Sequence, residues 1–244
     1  MDLRSLPPET SRLWRRLDAE PLLRGFVLVG GTALAMRIGH RRSEGLDFAY
    51  VAGQTLPRLV LDQLRARLSD EGWNMAWMAD QAALQDAIDA GLDLEDRQQD
   101  YAVNDAVRLS FVRLRNNATR LLAAAGVGPL RVASLDEIFA TEVLATAERS
   151  KSRDWFDLYV LMARHGYWVA DLERVCSRAG EPQQYDVVKG KLLACKPSAA
   201  DEGYEQLLED APTPEPLREF FTGAFNELER MATAARITRE RRAT

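Results

Sequence analysis

The run Gly25-Phe26-Val27-Leu28-Val29-Gly30-Gly31-Thr32 constrains the fold most tightly. Four consecutive apolar residues rich in β-formers read as a short buried strand. Two glycines break it, and Thr32-Ala33-Leu34-Ala35-Met36-Arg37 then reads as a helix. A second strand is expected at Leu46–Val51, where apolar and other residues alternate with period two, and a third at Trp73–Met78. Tyr101–Val103 and Ala106–Leu114 bracket Asn104-Asp105, the signature of a hairpin. Helices fall between these strands: one started by Pro7-Pro8 and carrying Leu13, Trp14 and Leu17, one over Leu56–Leu68, and a weaker one over Ala82–Leu94. Strands mixed with helices continue to about residue 130.

From Ser134 the pattern is helical throughout. Ser134-Leu135-Asp136-Glu137 is a capping box that opens a helix running to about Arg149. Asp154 opens the next, Trp155–Arg164, which Gly166 stops. Further helices are expected at about 168–179, 183–195, 200–209 and 215–235, followed by a polar, fraying tail. The predicted fold class is α+β, a mixed sheet flanked by helices followed by a C-terminal helical domain, with the domains at 1–132 and 133–244.

Composition narrows the function classes. The chain is 46% hydrophobic and 28% charged, enough for a buried core. Its net charge of −5 excludes a histone-like polyelectrolyte but leaves room for a local basic patch. Two Cys and two His over 244 residues give neither a zinc spacing nor a disulfide framework. The longest uncharged stretch, 25–36, is too short to span a bilayer. The N-terminus has no apolar signal core. A cytoplasmic protein without a membrane partner is expected.

Three groups of residues can carry chemistry. At Gly30-Gly31-Thr32 the backbone can approach a ligand closely, and the free amides at the helix start can hold phosphate; the same residues also suit an ordinary strand-to-helix turn. Arg37, His40, Arg41 and Arg42 precede the strand bearing Asp47. They can meet nucleotide or RNA phosphates, or form a solvated basic turn. Asp154 and Asp157 share one helix face behind Arg149, Lys151 and Arg153; capping and surface ion pairs are the alternative reading.

The order of these groups adds information. GGTALAMRIGHRRSEGLDFAY at 30–50, followed by ASLDEIFATEVLATAERSKSRDWFDLYVL at 133–161, resembles the AbiEii/AbiGii-type nucleotidyltransferases. These are toxin components of bacterial toxin–antitoxin and abortive-infection systems. The resemblance implies a nucleotidyltransferase fold of the DNA polymerase β type. It also implies Mg²⁺-dependent transfer of a nucleotide from an NTP to an acceptor such as tRNA or another RNA, and a cognate antitoxin as partner. Residues that fit the family pattern are Gly30, Gly31, Thr32, His40, Arg41, Ser43, Asp47, Arg149, Asp154 and Asp157. Of these, Asp47 is the expected metal ligand, Asp47 and Asp154 the expected catalytic residues, and Gly30, Gly31, Thr32, Arg41, Ser43 and Arg149 the expected nucleotide-binding residues.

Three positions depart from the pattern. The family carries Asp-x-Asp on the second strand, since residues two apart face one side about 6.5 Å from each other and can hold two Mg²⁺ ions about 4 Å apart. Here Gly45 takes the first position, and Glu44 faces away unless Gly45 forms a bulge. Ser110 stands where a third carboxylate is usual, and Glu142 where a phosphate-binding lysine is usual. Three functions follow: a working nucleotidyltransferase with a thinned metal site, a catalytically degraded relative that binds NTP, RNA or a partner protein without transfer, or a helical adaptor with a scaffold domain.

Overall fold

The computed structural model describes residues 2–79, 81–91, 93–123, 130–199, 201–208 and 211–243. Its backbone divides into two compact units, Met1–Ile138 and Phe139–Thr244.

The first unit is built on a mixed sheet of β1 (Phe26–Val29), β2 (Leu46–Tyr50), β3 (Met75–Trp77), β4 (Gln98–Val103), β5 (Val107–Val112) and β6 (Arg131–Val132). The strand order is β3-β4-β5-β2-β1-β6. β2 runs parallel to β5 and antiparallel to β1, so β2 is central and β1, which leads into the double glycine, lies between it and the edge strand β6. Its helices are α1 (Pro8–Leu17), α2 (Gly30–Ile38), α3 (Arg58–Asp70), α4 (Gln81–Asp89) and the single turn α5 (Asn116–Thr119). α6 (Leu135–Glu148) carries the chain into the second unit.

One face of the sheet is an aromatic core. Phe48 and Phe111 stack at 5.6 Å between ring centres, Phe26 meets Phe111 edge-on at 5.3 Å, and Trp14 of α1 covers Phe48 at 6.5 Å. Leu46, Leu109 and Val103 are buried on the same face. Strand alternation therefore commits Asp47, Ser110 and Asp100 to the opposite face.

The hairpin expected at Asn104-Asp105 is present. Asn104 and Asp105 adopt left-handed backbone, φ 52° and 54°, and Ala106, expected in the strand, is a third loop residue, so that Val103 pairs with Val107. The expected helix over 82–94 ends earlier, at Asp89, just before Gly91 turns left-handed with φ 72°. β6, α5 and a 3₁₀ turn at Pro21–Leu23 have no counterpart in the sequence reading, being too short to show a period.

The second unit consists of α7 (Ser152–Arg164), α8 (Val169–Ala179), α9 (Gln184–Ala194) and α10 (Pro214–Ala243), with aromatic contacts Phe156–Tyr204 and Tyr159–Phe220 at 4.9 Å each. Two expectations change here. Over 200–209 the described residues hold only a 3₁₀ turn, Glu205–Leu207; residues 200 and 209 lie outside the description. The tail does not fray: α10 continues through Ala243, because its sequence is rich in helix-forming Ala, Arg and Glu and ends with arginines at the negative end of the helix dipole.

The capping box at Ser134 is formed. The Glu137 amide donates to Ser134 Oγ at 3.2 Å, and the Ser134 amide to Glu137 Oε2 at 2.7 Å. Glu137 also accepts from the Ala123 amide and from Arg131 Nη1, both at 2.6 Å. Burial pushes this carboxyl up, but these donors more than offset it and hold the group below the usual carboxylate range. A pKa lowered by folding adds stability that is present above the unfolded value, near 4.5, and is lost as pH falls through the folded value. Glu137→Gln should cost about 1–3 kcal/mol at pH 7, with the deficit shrinking below about pH 4.5; urea unfolding measured across this range checks it.

Candidate nucleotide site

The site is assembled around the start of α2. Its N-cap is Val29, which has no side-chain oxygen and so supplies no side-chain cap to the first turn. Each glycine has its own reason for being there. Gly30 adopts φ 68°, a left-handed conformation that favours glycine. Gly31 has no such strain, but a Cβ there would fall on the Arg41 guanidinium, 3.1 Å from its Cζ. A Cβ on Gly30 would lie 3.4 Å from Asp47 Oδ2. An arginine and a carboxylate thus both rest against the double glycine, the carboxylate at the positive end of a helix dipole.

The loop between α2 and β2 holds these groups in position. Thr32 donates its hydroxyl proton to the Gly45 carbonyl. That hydroxyl has one proton, so the 2.6 Å bond between Thr32 Oγ1 and Ser43 Oγ must be donated by Ser43. The Ser43 amide donates to the Ser5 carbonyl at 3.2 Å, and the Thr10 hydroxyl to the Glu44 carbonyl at 2.9 Å. Arg41 Nη1 donates to the Arg42 carbonyl at 2.9 Å. The reading of this loop as a solvated basic turn is corrected: His40, Arg41 and Ser43 are buried, and Arg42 is exposed. Arg37 is committed elsewhere, donating to the Val132 carbonyl at 2.8 Å and to the Ala133 carbonyl.

No bulge re-aims Glu44. The β2 ladder runs in regular register from Leu46 opposite Leu109 and Asp47 opposite Val29, and Glu44 is exposed. At Gly45 a Cβ would stand 3.2 Å from the Arg108 carbonyl, so β5 crowds this position.

Asp100 went unrecognised in the sequence. Asp47 on β2, Ser110 on β5 and Asp100 on β4 are register partners in one row across three strands. Ser110 Oγ donates to Asp100 Oδ1 at 2.5 Å, and Gln98 Nε2 donates to Asp100 Oδ2 at 2.8 Å. Arg108 Nη2 lies 3.5 Å from Asp100. The Asp100 side chain is 20% exposed, leaving it within reach of solvent. Counting back from a two-residue turn at Asn104-Asp105 would pair 103 with 106 and so 100 with 109; a third loop residue, Ala106, shifts the pairing to 103 with 107 and 100 with 110.

In the second unit Arg149 and Asp154 form a two-pronged ion pair, Nε to Oδ2 at 2.8 Å and Nη2 to Oδ1 at 3.0 Å. The Asp154 side chain is buried, whereas that of Arg149 is half exposed. Lys191 Nζ donates to the carbonyls of Ala147 and Arg149 at 2.9 and 3.2 Å, closing the end of α6. Asp201 accepts from the Ser152 hydroxyl and amide at 2.6 and 3.2 Å, closing the start of α7. Asp157 and Glu142 are buried. The residues expected to act together therefore fall into two sets: 30, 31, 32, 41, 43 and 47 in the first unit, and 149 and 154 in the second.

A mixed sheet whose second strand brings a carboxylate to a Gly-Gly helix start defines a nucleotidyltransferase-type protein. Residues 12–239 match the family described as nucleotidyl transferase AbiEii toxin, type IV toxin–antitoxin system, and the chain belongs to that family. An uncharacterized protein of Aquifex aeolicus (strain VF5) is 24% identical over 220 residues, 90% of this chain and 95% of that protein. The crystal structure of JHP933 from Helicobacter pylori shares the fold, with a TM-score of 0.50 and 17% identity over 96% of this chain and 99% of that one. Among the described residues no helix is long and apolar enough to cross a membrane.

The packing of Arg41 on Gly31 gives a direct test. Gly31→Ala should destabilise by about 1–2 kcal/mol, because the new methyl displaces a buried guanidinium. In an Arg41→Ala background the same change should be neutral or stabilising by up to about 1 kcal/mol, since alanine is the better helix former. A double-mutant cycle by urea unfolding reads the difference.

Proposed function

We propose that this protein is a toxin of the nucleotidyltransferase class that binds a nucleoside triphosphate with Mg²⁺ at the start of α2 and transfers a nucleotide to an RNA such as tRNA. The observation that carries this reading is Asp47 lying against Gly30 at the start of α2, where the N-cap Val29 supplies no side-chain cap, with Arg41 over Gly31. The backbone amides of 30–32 and the Arg41 guanidinium supply the positive field that a triphosphate needs. Thr32 and Ser43 serve the site by holding the loop, since their hydroxyls are bonded to each other and to Gly45. In the second unit Arg149 is assigned to phosphate, with Asp154 fixing its orientation through the paired bonds. Membership of a type IV toxin–antitoxin family supports placing this action in the cytoplasm, on a cellular RNA, under the restraint of an antitoxin.

The donor set fits one cation better than two. Asp47 is the carboxylate at the double glycine, and among the described residues no group of three or more His, Cys, Asp or Glu side chains is arranged for a metal. Mg²⁺ is commonly held by one or two carboxylates completed by substrate phosphates and water, and Asp47 would hold it here. The ion would neutralise charge on the triphosphate as the acceptor oxygen bonds to the α-phosphorus and pyrophosphate leaves.

A second reading, binding without transfer, is favoured by Gly45 and Ser110, which leave two positions of the family's pattern without carboxylates. Incubation with each α-labelled NTP, Mg²⁺ and total tRNA decides between them. Transfer of label to RNA, lowered at least about 100-fold by Asp47→Asn, about 2.7 kcal/mol of transition-state stabilisation, is the expected result. NTP binding that depends on Asp47 without any labelled RNA would establish the second reading instead.

A further inference from the structure

α10 is anchored in its first half only. Leu217, Phe221 and Phe225 are buried. From Glu229 to Arg242 every side chain is exposed, a stretch of 14 residues and about 21 Å of helix. It carries five arginines, Arg230, Arg236, Arg239, Arg241 and Arg242, against Glu229 and Glu240. That is +3 on a chain of net −5, so the rest of the molecule carries −8. Positive charge is concentrated along the exposed half of the helix, where Glu229 is itself engaged by Lys189 Nζ of α9 at 2.8 Å.

The arrangement selects among occupants. At 100° per residue Arg230 and Arg241 lie on one side, Arg239 and Arg242 on the other, and Arg236 between them. Guanidinium groups surround the rod. Met231 and Ile237, 55% and 42% exposed, fall about 120° apart and form no apolar stripe. A membrane-surface helix needs such a stripe, and so does a coiled-coil seam. The same half-helix of a second copy would bring +3 against +3, which excludes a helix-to-helix pairing of two copies. The ion pair Arg236–Glu240 is 3.9 Å long with both side chains about 70% exposed, so it is readily exchanged for a phosphate.

We propose that the Glu229–Arg242 half of α10 binds the phosphate backbone of RNA, without base selectivity, and so captures the acceptor; the choice of RNA rests on the transfer reading above. The test uses the full-length protein, a fluorescently labelled tRNA, EDTA and no NTP, with affinity followed by anisotropy over a range of salt. Arg230→Gln/Arg236→Gln/Arg239→Gln/Arg242→Gln should bind at least tenfold more weakly. Its log affinity against log salt should have a slope shallower by about 2–3, as each lost phosphate contact removes somewhat under one. The matching fourfold Lys variant should keep the wild-type slope. All four positions are exposed, and far-UV circular dichroism of the Gln variant should match wild type. Unchanged RNA affinity and slope in the Gln variant would overturn the proposal. So would a loss confined to phosphatidylserine vesicles with RNA binding intact. Wild-type protein that binds tRNA through these arginines yet labels none of it would leave this surface standing and refute transfer.

Discussion

A single hydroxyl proton organises the first unit. Thr32, in the opening turn of α2, gives it to the Gly45 carbonyl and takes one in return from Ser43. Both hydroxyls are buried, where an unmade hydrogen bond costs about 1–3 kcal/mol. This bond fixes where the loop ends and β2 begins. With β2 starting at Leu46, Asp47 falls opposite Val29, the last residue before the double glycine. Were the loop to slip by one residue, Phe48 would occupy that place and the aromatic core would open.

The double glycine meets two opposite charges. Asp47 approaches Gly30, and Arg41 approaches Gly31. A side chain at Gly31 would push Arg41 off, and Gly30 answers to its left-handed backbone, so the two glycines are explained by the protein's own conformation and packing before any ligand is considered. The same packing leaves a cation, an anion and a helix start in one place. That combination suits a ligand with mixed requirements, such as a triphosphate travelling with a metal ion. In the second unit Arg149 is held by a buried carboxylate, so its orientation is fixed while half its surface stays accessible.

Much of this was legible in the residues. The strand–Gly-Gly–helix turn, the hairpin at Asn104-Asp105 and the capping box at Ser134 each rest on local chemistry that a sequence displays directly. The family resemblance, carried by two motifs more than 80 residues apart, matches the family that spans 12–239. What escaped was non-local. Burial of His40 and Arg41 comes from contacts of their loop with the N-terminal segment and α2, which no short window reveals. Ion pairs around Asp154 were one of the two readings of that segment, but that Arg149 is a partner and that the carboxylate is buried depend on how the chain turns between α6 and α7. Asp100 was missed because a two-residue turn would set it opposite residue 109; the third loop residue, Ala106, sets it opposite Ser110. Short elements such as β6 have no period to detect.

The three-residue loop 104–106 sets the phase of β4 against β5, and with it the face on which each side chain emerges. Inserting or deleting one residue between Asp100 and Ser110 would reverse that parity. Tyr101 would leave the aromatic core as Asp100 entered it. This hairpin can therefore drift by substitution but not by changes in length, so its spacing should be far better preserved among descendants of this chain than its letters.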